Sequence, residues 1–390
     1  MIQSPLRVGI LGAESEVVQT IYLPALQALD QNFKVAVLHS TASSANSTDS
    51  PRITTSIDDV IHDPTIDLIL NFLPNEYHET YTIAALEAGK HVMVETPVSL
   101  SIRSTQRIIA AEKRAPNGAR VFVACARRYV PCFEDIFKKE VASLDRIYYA
   151  RCRNIAGPHT AHSATAPTPT PQKRTVPKMC SSSSNGAGTG SRTGTGDEHL
   201  LQGLLEEVFS GQELSQDRVA LCQFLASLGC HDLGLMRDTL GAPDTISTIS
   251  VNDPFYSAIF HYTDTAARGG HPFTLVYETG TDSVPRCDAH LAIYGRTKTV
   301  SIYYELPYAR GQLLRVVVEE MDEQGELRRT ESVSSWEDGY REELRALYAF
   351  LVEGKPAKTT AVDGLQDLKL FRMMFEQYDR QCGTIRTPLG

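Results

Sequence analysis

No stretch of this chain is an unbroken apolar run long enough to span a bilayer, so no membrane is expected among its partners. No Lys/Arg stripe runs along it either. The balance is acidic, with 38 Lys and Arg against 47 Asp and Glu and a formal net charge of −9. A nucleic-acid binder more often carries a basic face, so no nucleic-acid partner is expected. The eight cysteines make no CxxC pair and no Cys/His metal spacing, which removes a metal site from the expected chemistry. They read as buried or inert thiols in a reducing, cytoplasmic compartment. The opening MIQSPLRVGILG lacks the basic region, long apolar core and small-residue cleavage site of a secretory signal. What remains is a 390-residue chain with a 42% hydrophobic fraction, enough for two ordinary domains with a sizeable core.

The first third alternates short β-rich runs with helical patterns. RVGIL is followed by a helical stretch from about Glu16, and FKVAVLH is a second strand. SIDD (56–59) has the spacing of a helix start. IDLILNFL is nearly all apolar, as a strand buried on both faces should be. NEYHETYTIAALEAGK reads as a helix capped by Asn75 and ended by Gly89. HVMVE, SIRSTQRIIAAEKRA and ARVFVAC continue the alternation. Repeated β–α–β units predict a parallel, doubly wound sheet over residues 1–125, with ligands at the carboxyl ends of its strands.

Composition breaks near Gly157. Residues 157–197 are Pro/Thr-rich, then Ser/Gly-rich, too poor in apolar side chains to offset their ordering entropy, and are expected to be a disordered insertion. Beyond them EHLLQGLLEEVF and SLGCHDLGLMRDTLG read as helices, the second closed by Gly241. ISTISV, YSAIFHY, FTLVYET, HLAIYG, TVSIYYE and LLRVVVEEM read as consecutive strands of a largely antiparallel, open-faced sheet. Two helical patterns near 337–353 and 362–381 finish an α+β second domain, residues 126–390.

The run LPNEYHETYTIAALEAGKHVMVETPVSLS resembles the Gfo/Idh/MocA family of NAD(P)-dependent oxidoreductases, with its Asn-x-x-His, Ala-Leu-x-x-Gly-Lys-His-Val and Glu-Lys-Pro segments. YLPAL (22–26), RRYVPCF (127–133), GCHDLGLMRDTLG and DGLQDLKLFRMMFEQ are similar to further family motifs and occur in the family's order. The resemblance implies a Rossmann-like domain and a second domain whose sheet is often used for homodimer contacts. It also implies NAD or NADP as cofactor and a small-molecule ligand. Carried over position by position, it places Gly12, Ala13, Glu14, Ser40, Pro74, Asn75, His78, Glu95, Pro97 and Arg128 about the cofactor. It places His231, Thr96 and Tyr129 at the reacting end.

Four positions depart from the pattern. Gly12 keeps the glycine of the tight bend, but Glu14 stands where a second glycine lets the backbone approach the pyrophosphate, and Val17 where a third permits close packing. Glu14 brings a negative charge beside two phosphate charges, and the helix amides are then free to serve Glu14 itself. The second strand ends in His39, Ser40 and Thr41, with neither the ribose-binding acid of NAD enzymes nor a basic residue for a 2′-phosphate. Thr96 replaces the family's lysine and cannot supply an ammonium. Ser227 replaces the aspartate one helical turn before His231, on the same expected face, while His231 itself is retained as an acid or base. Three functions follow: a repurposed non-redox enzyme of isomerase, lyase or cyclase type; an ordinary NAD(P)-dependent oxidoreductase on a sugar, cyclitol or related alcohol; and a non-catalytic metabolite sensor or regulator. The joint loss at 14, 96 and 227 favours the first.

Overall fold

The computed structural model describes residues 4–41, 51–157, 194–210, 212–263, 271–311 and 313–385. Most of the low-complexity insertion, 158–193, lies outside them. The chain begins with β1 (Leu6–Leu11), a wide turn of helix at Val18–Tyr22 running into α1 (Leu23–Ala28), β2 (Phe33–His39), β3 (Arg52–Thr54) and α2 (Ile57–Ile61). It continues through β4 (Leu68–Asn71), α3 (Asn75–Glu87), β5 (His91–Glu95), α4 (Ile102–Arg114) and β6 (Val121–Ala124). The six strands form one parallel sheet in the order β3-β2-β1-β4-β5-β6. That is the doubly wound order with its reversal between β1 and β4, where ligands of such sheets sit. β4 is buried at every residue, as its apolar run requires.

Helix starts follow local chemistry. Ser56 and Ser101 each accept a backbone N–H in the first turn of the helix that follows, which satisfies donors the helix leaves orphaned. α3 differs from expectation. Its cap is Pro74, no side chain caps it, and Asn75 is its first helical residue. Pro74 suits that place because its ring fixes φ near the value helix entry needs, and it has no N–H to leave unsatisfied.

The second domain opens with a short helical turn, Ala126–Tyr129, and a wide turn, Cys132–Phe137, that leads into α5 (Lys138–Ala142). β7 (Tyr149–Ala156), α6 (Gly194–Val208), α7 (Gln216–Phe224) and α8 (Cys230–Leu240) follow, the last two fused through a wide turn at Leu225–Gly229. Then come β8 (Thr245–Asn252), β9 (Phe255–Tyr262), β10 (Phe273–Thr281), β11 (Cys287–Tyr294), β12 (Lys298–Tyr303), β13 (Leu313–Met321) and β14 (Leu327–Ser335). α9 (Trp336–Val352) and α10 (Ala361–Ile385) end the described chain. The eight strands order as β14-β13-β12-β11-β7-β10-β9-β8, antiparallel throughout except for the β7–β10 pair. β7 and β9 alternate buried and half-exposed residues, so one face packs on α8 and α10 and the other faces outward.

The continuous helix Gln216–Leu240 is long and apolar enough to cross a membrane by length and composition, yet 78% of its apolar window is buried inside the protein. A helix apolar all round is what a core position demands. Leu221, Leu225, Leu233 and Met236 pack there against Phe260, Leu275 and Tyr277 of the sheet.

Candidate functional site

At the end of β1, Gly12 turns the chain with φ +75°, and a Cβ there would lie 2.8 Å from the Phe72 carbonyl oxygen. Glycine is therefore required on two counts. The amides of this turn are used internally. Ala13 N–H donates to His39 O at 2.9 Å, Ser15 N–H to Gly12 O at 3.1 Å, and Gly12 N–H lies 3.4 Å from His39 Nδ1. Glu14 is exposed, and its Oε1 accepts from the Thr41 hydroxyl at 3.1 Å. The expectation that helix amides serve the Glu14 carboxylate is thus corrected: Glu14 reaches across to the end of β2, beside Ser40, and bridges the places where pyrophosphate and ribose belong in this fold. Val17 sits in the hydrophobic cluster under β1.

His78 is also placed differently from expectation. Its Nε2 lies 2.8 Å from Leu73 O and its Nδ1 3.0 Å from Pro97 O, inside the fold. Both ring nitrogens face backbone carbonyls, and the neutral ring donates to one of them at a time, so His78 lies between the loop after β4 and the loop after β5 with neither nitrogen turned to a ligand. Burial lowers its pKa. Thr96 is buried behind the same loop and does not line the cleft.

The cleft between the domains is lined by Tyr22, Glu95 and Arg127, by His231 from α8, by the 304–309 segment between β12 and β13, and by Trp336 and Tyr340 from α9. With the 304–309 segment in place its remaining cavity is about 40 Å³, room for water. Glu95, the last residue of β5, is the centre of it. Its Oε1 accepts from the Tyr308 hydroxyl at 2.7 Å and from Thr96 N–H at 3.0 Å, while Oε2 is shielded from solvent with no hydrogen-bond partner. Burial pushes the Glu95 carboxyl up to about 7, against the two hydrogen bonds that favour its charged form. The Tyr308 ring meets the His231 ring edge-on, with centroids 5.5 Å apart.

His231 is 5% exposed, and burial, assisted by the Arg127 charge, pushes its pKa down to about 3. It is therefore held as a neutral imidazole near pH 7, a hydrogen-bonding group and a weak base, while burial brings the Glu95 carboxyl toward neutrality. Ser227 is exposed, and its hydroxyl donates to Phe224 O at 3.2 Å. The wide turn at Leu225–Gly229 rotates the helix between the two positions, so Ser227 does not share the face of His231 as an unbroken α-helix would place it. Asp232, adjacent to His231, pairs with Arg127 at 2.8 Å and accepts from Asn154 Nδ2 at 2.9 and 3.0 Å. Arg127 also donates to Glu305 O and stacks over Tyr304, 4.6 Å from its centroid.

Two expected site residues lie elsewhere. The Tyr129 hydroxyl shares a hydrogen bond with Thr359 at 2.7 Å, and its ring lies under Lys358 Nζ at 4.3 Å, away from the cleft lining. Arg128 is 4% exposed and bridges Asp238 at 3.0 Å and Asp363. Both hold the domain junction, because a buried guanidinium is tolerated only where carboxylates meet it. Glu343 is a further buried acid beside the cleft, accepting from Tyr22 at 3.0 Å and from Cys125 N–H. Burial, then the Glu95 charge, pushes it up to about 8. Among the described residues no group of three or more His, Cys, Asp or Glu side chains could hold a metal. Burial raises the thiols of Cys125, Cys222 and Cys287 to about 12, which leaves them unreactive near neutrality.

Comparison with known proteins places this geometry. Residues 6–124 match the family model described as an oxidoreductase family with an NAD-binding Rossmann fold. An uncharacterized oxidoreductase of Rhizobium meliloti is 37% identical over 82 residues, 21% of this chain and 24% of that protein. The 1,5-anhydro-D-fructose reductase of Ensifer adhaerens is 33% identical over 61 residues, 16% of this chain and 18% of the enzyme. These matches thus span a quarter or less of the relatives' length. A putative oxidoreductase of Bacillus subtilis superposes over 97% of this chain and 98% of its own, with a TM-score of 0.67 at 16% identity, which extends the shared fold through the second domain. Residues 6–124 thus carry the Rossmann domain of the Gfo/Idh/MocA family of oxidoreductases.

Proposed function

We propose that this protein is a repurposed enzyme that moves a proton, without hydride transfer, on a small organic molecule held in the interdomain cleft. The observation that carries the reading is the Glu95 carboxylate: one oxygen is held by Tyr308 and Thr96 N–H, the other is unpartnered and shielded at the cleft lining. A carboxyl titrating near neutrality in a water-poor pocket suits general acid–base work. Glu95 would accept a substrate proton through Oε2 and return it at another atom, the exchange an isomerase or lyase requires. Neutral His231 would position the substrate. Glu14 and Thr41 meet at the diphosphate and ribose positions, and the Glu14 charge there opposes a dinucleotide. No step is therefore assigned to NAD or NADP.

The test is deuterium incorporation from heavy water into a panel of hydroxy-carbonyl compounds with no nicotinamide cofactor added. Exchange is expected to rise with pH about an apparent pKa near 7, and to fall by roughly a hundredfold or more in Glu95→Gln. Turnover that begins only on adding NADH or NADPH would overturn the proposal. It would establish the second reading, an NAD(P)-dependent oxidoreductase on a sugar, cyclitol or related alcohol, which the retained Gly12 bend supports. We further propose a cytoplasmic homodimer joined through the outward face of the second sheet, where Tyr149, Tyr303, Leu313 and Val333 are exposed. A monomer by analytical ultracentrifugation at micromolar concentration would exclude the dimer.

A further inference from the structure

We propose that the slot between Glu95 and His231 is a binding site for a flat ring bearing an acidic hydroxyl, a phenol or cyclic enol, and that Tyr308 is its built-in occupant, displaced when such a ligand enters. Four observations meet here. Tyr308 holds φ +65°, a left-handed conformation that a bulky residue keeps only where its surroundings impose it, and such residues gather at functional sites. Its side chain is itself a hydroxylated ring, with the hydroxyl 2.7 Å from Glu95 Oε1 and the ring edge-on to His231. Glu95 Oε2 beside it has no partner, so the carboxylate can take a second donor. The remaining cavity, about 40 Å³, admits no ring while the tyrosine is in place.

The walls select the ligand. Tyr22, Tyr304, Trp336 and Tyr340 supply aromatic surface, which suits a planar ring by offset or edge-on contact. The acceptors left open at this lining are carboxylate oxygens, Oε2 of Glu95 and Oε2 of Glu305, to which an acidic hydroxyl donates more strongly than the alcohol of a polyol does, while Arg127 already donates to Asp232 and the Glu305 carbonyl. Tyr308 lies in the irregular 304–309 segment between β12 and β13, outside every strand ladder. It can leave the slot without breaking sheet register. The assignment rests on the proton-transfer reading, since it names the kind of hydroxyl that Glu95 would face.

The experiment is calorimetric titration of the full-length wild type, Tyr308→Gly, and Tyr308→Gly with Glu95→Gln, using p-cresol, cyclohexanol and nicotinamide mononucleotide as probes. Glycine tolerates the left-handed backbone and empties the slot. p-Cresol is expected to bind the wild type saturably and Tyr308→Gly roughly tenfold or more tighter, since the variant no longer spends part of its population self-occupied. Cyclohexanol is expected to bind Tyr308→Gly at least about tenfold more weakly than p-cresol, and Glu95→Gln to remove most of that preference. Should Tyr308→Gly fail to fold, Tyr308→Phe keeps the ring, loses the bond to Glu95 and is expected to bind p-cresol more tightly than the wild type. No binding to the wild type at millimolar p-cresol would make Tyr308 a fixed wall and overturn the proposal. Equal affinity for cyclohexanol, or binding of nicotinamide mononucleotide in place of p-cresol, would also overturn it. These titrations involve no turnover, so their failure leaves the isotope-exchange test of Glu95 standing.

Discussion

Replacing Glu14 by glycine should strengthen dinucleotide binding, and the structure sets the size of the gain. The Glu14 carboxylate is exposed and held at 3.1 Å by Thr41, over the turn whose backbone a diphosphate must approach. A like-charge pair at about 4 Å costs roughly 1 kcal/mol in water-like surroundings and roughly 4 at a less hydrated surface. Exposure puts Glu14 near the lower figure. Against two phosphate charges this gives about 2 kcal/mol, close to a thirtyfold gain in affinity. Fluorescence titration of NADH and NADPH against wild type, Glu14→Gly and Glu14→Gln checks it. Weak binding by the wild type is expected, with most of the gain in both variants, because glutamine keeps the side chain and removes only the charge. Raising the salt should shrink the gain, since screening shortens to about 3 Å at 1 M. Unchanged affinity would remove the electrostatic argument. Weaker binding of NADH alone would reverse it, showing that Glu14 serves as the ribose-hydroxyl acceptor that β2 lacks. A low-micromolar wild-type constant for either cofactor would refute the impaired groove outright.

Glu343 carries a pH signature. Its folded pKa, about 8, lies above the ordinary carboxyl value of 4.5. Its contribution to stability is therefore fully present below about pH 4.5 and lost as pH rises through 8, at roughly 1.4 kcal/mol per unit of pH inside that window. Glu343→Gln should melt higher than the wild type at pH 8.5 and show a flatter profile; parallel profiles would refute it. Arg128→Ala should cost about 3–5 kcal/mol in urea unfolding by leaving Asp238 and Asp363 short of a buried partner. Lys138 at 3.1 Å and Lys358 at 3.9 Å also meet Asp238, and Arg237 meets Asp363 at 2.7 Å; a loss under about 1 kcal/mol would show that these three suffice.

The parts of the fold that were legible share one property: burial wrote them into composition. β4 is apolar at nearly every residue because helices cover both faces of its sheet. β14, LRRTESVSS, is an edge strand exposed along most of its length, so no apolar alternation marks it. β7, YARCRNIA, carries arginines on its outward face, paired with Glu278 and Asp288, and reads as a polar segment. Among the site residues, motif spacing found Glu95 and His231, but not their roles, which are set by burial. The wide turn at Leu225–Gly229 has no sequence signature, and it moved Ser227 off the expected face. Tyr308 was invisible because its partner lies 213 positions away, and no local pattern reports such a contact.

The groove has two ends, and in each a carboxylate is met by a hydroxyl of the chain itself: Glu14 by Thr41, Glu95 by Tyr308. The two are not equivalent. Glu14 is exposed and keeps its hydration, so removing Thr41 leaves it a comfortable partner in water. Glu95 is buried and its Oε2 already lacks a donor, so removing Tyr308 from Oε1 leaves only the Thr96 N–H on the carboxylate, which must find a new donor or hold a proton. The cleft end therefore has a standing demand for a hydroxyl, whereas the cofactor end has only a standing repulsion. That asymmetry is why the chemistry is placed at Glu95. It also makes pH the variable that separates the two ends, because Glu95, titrating at about 7, governs only what happens in the cleft.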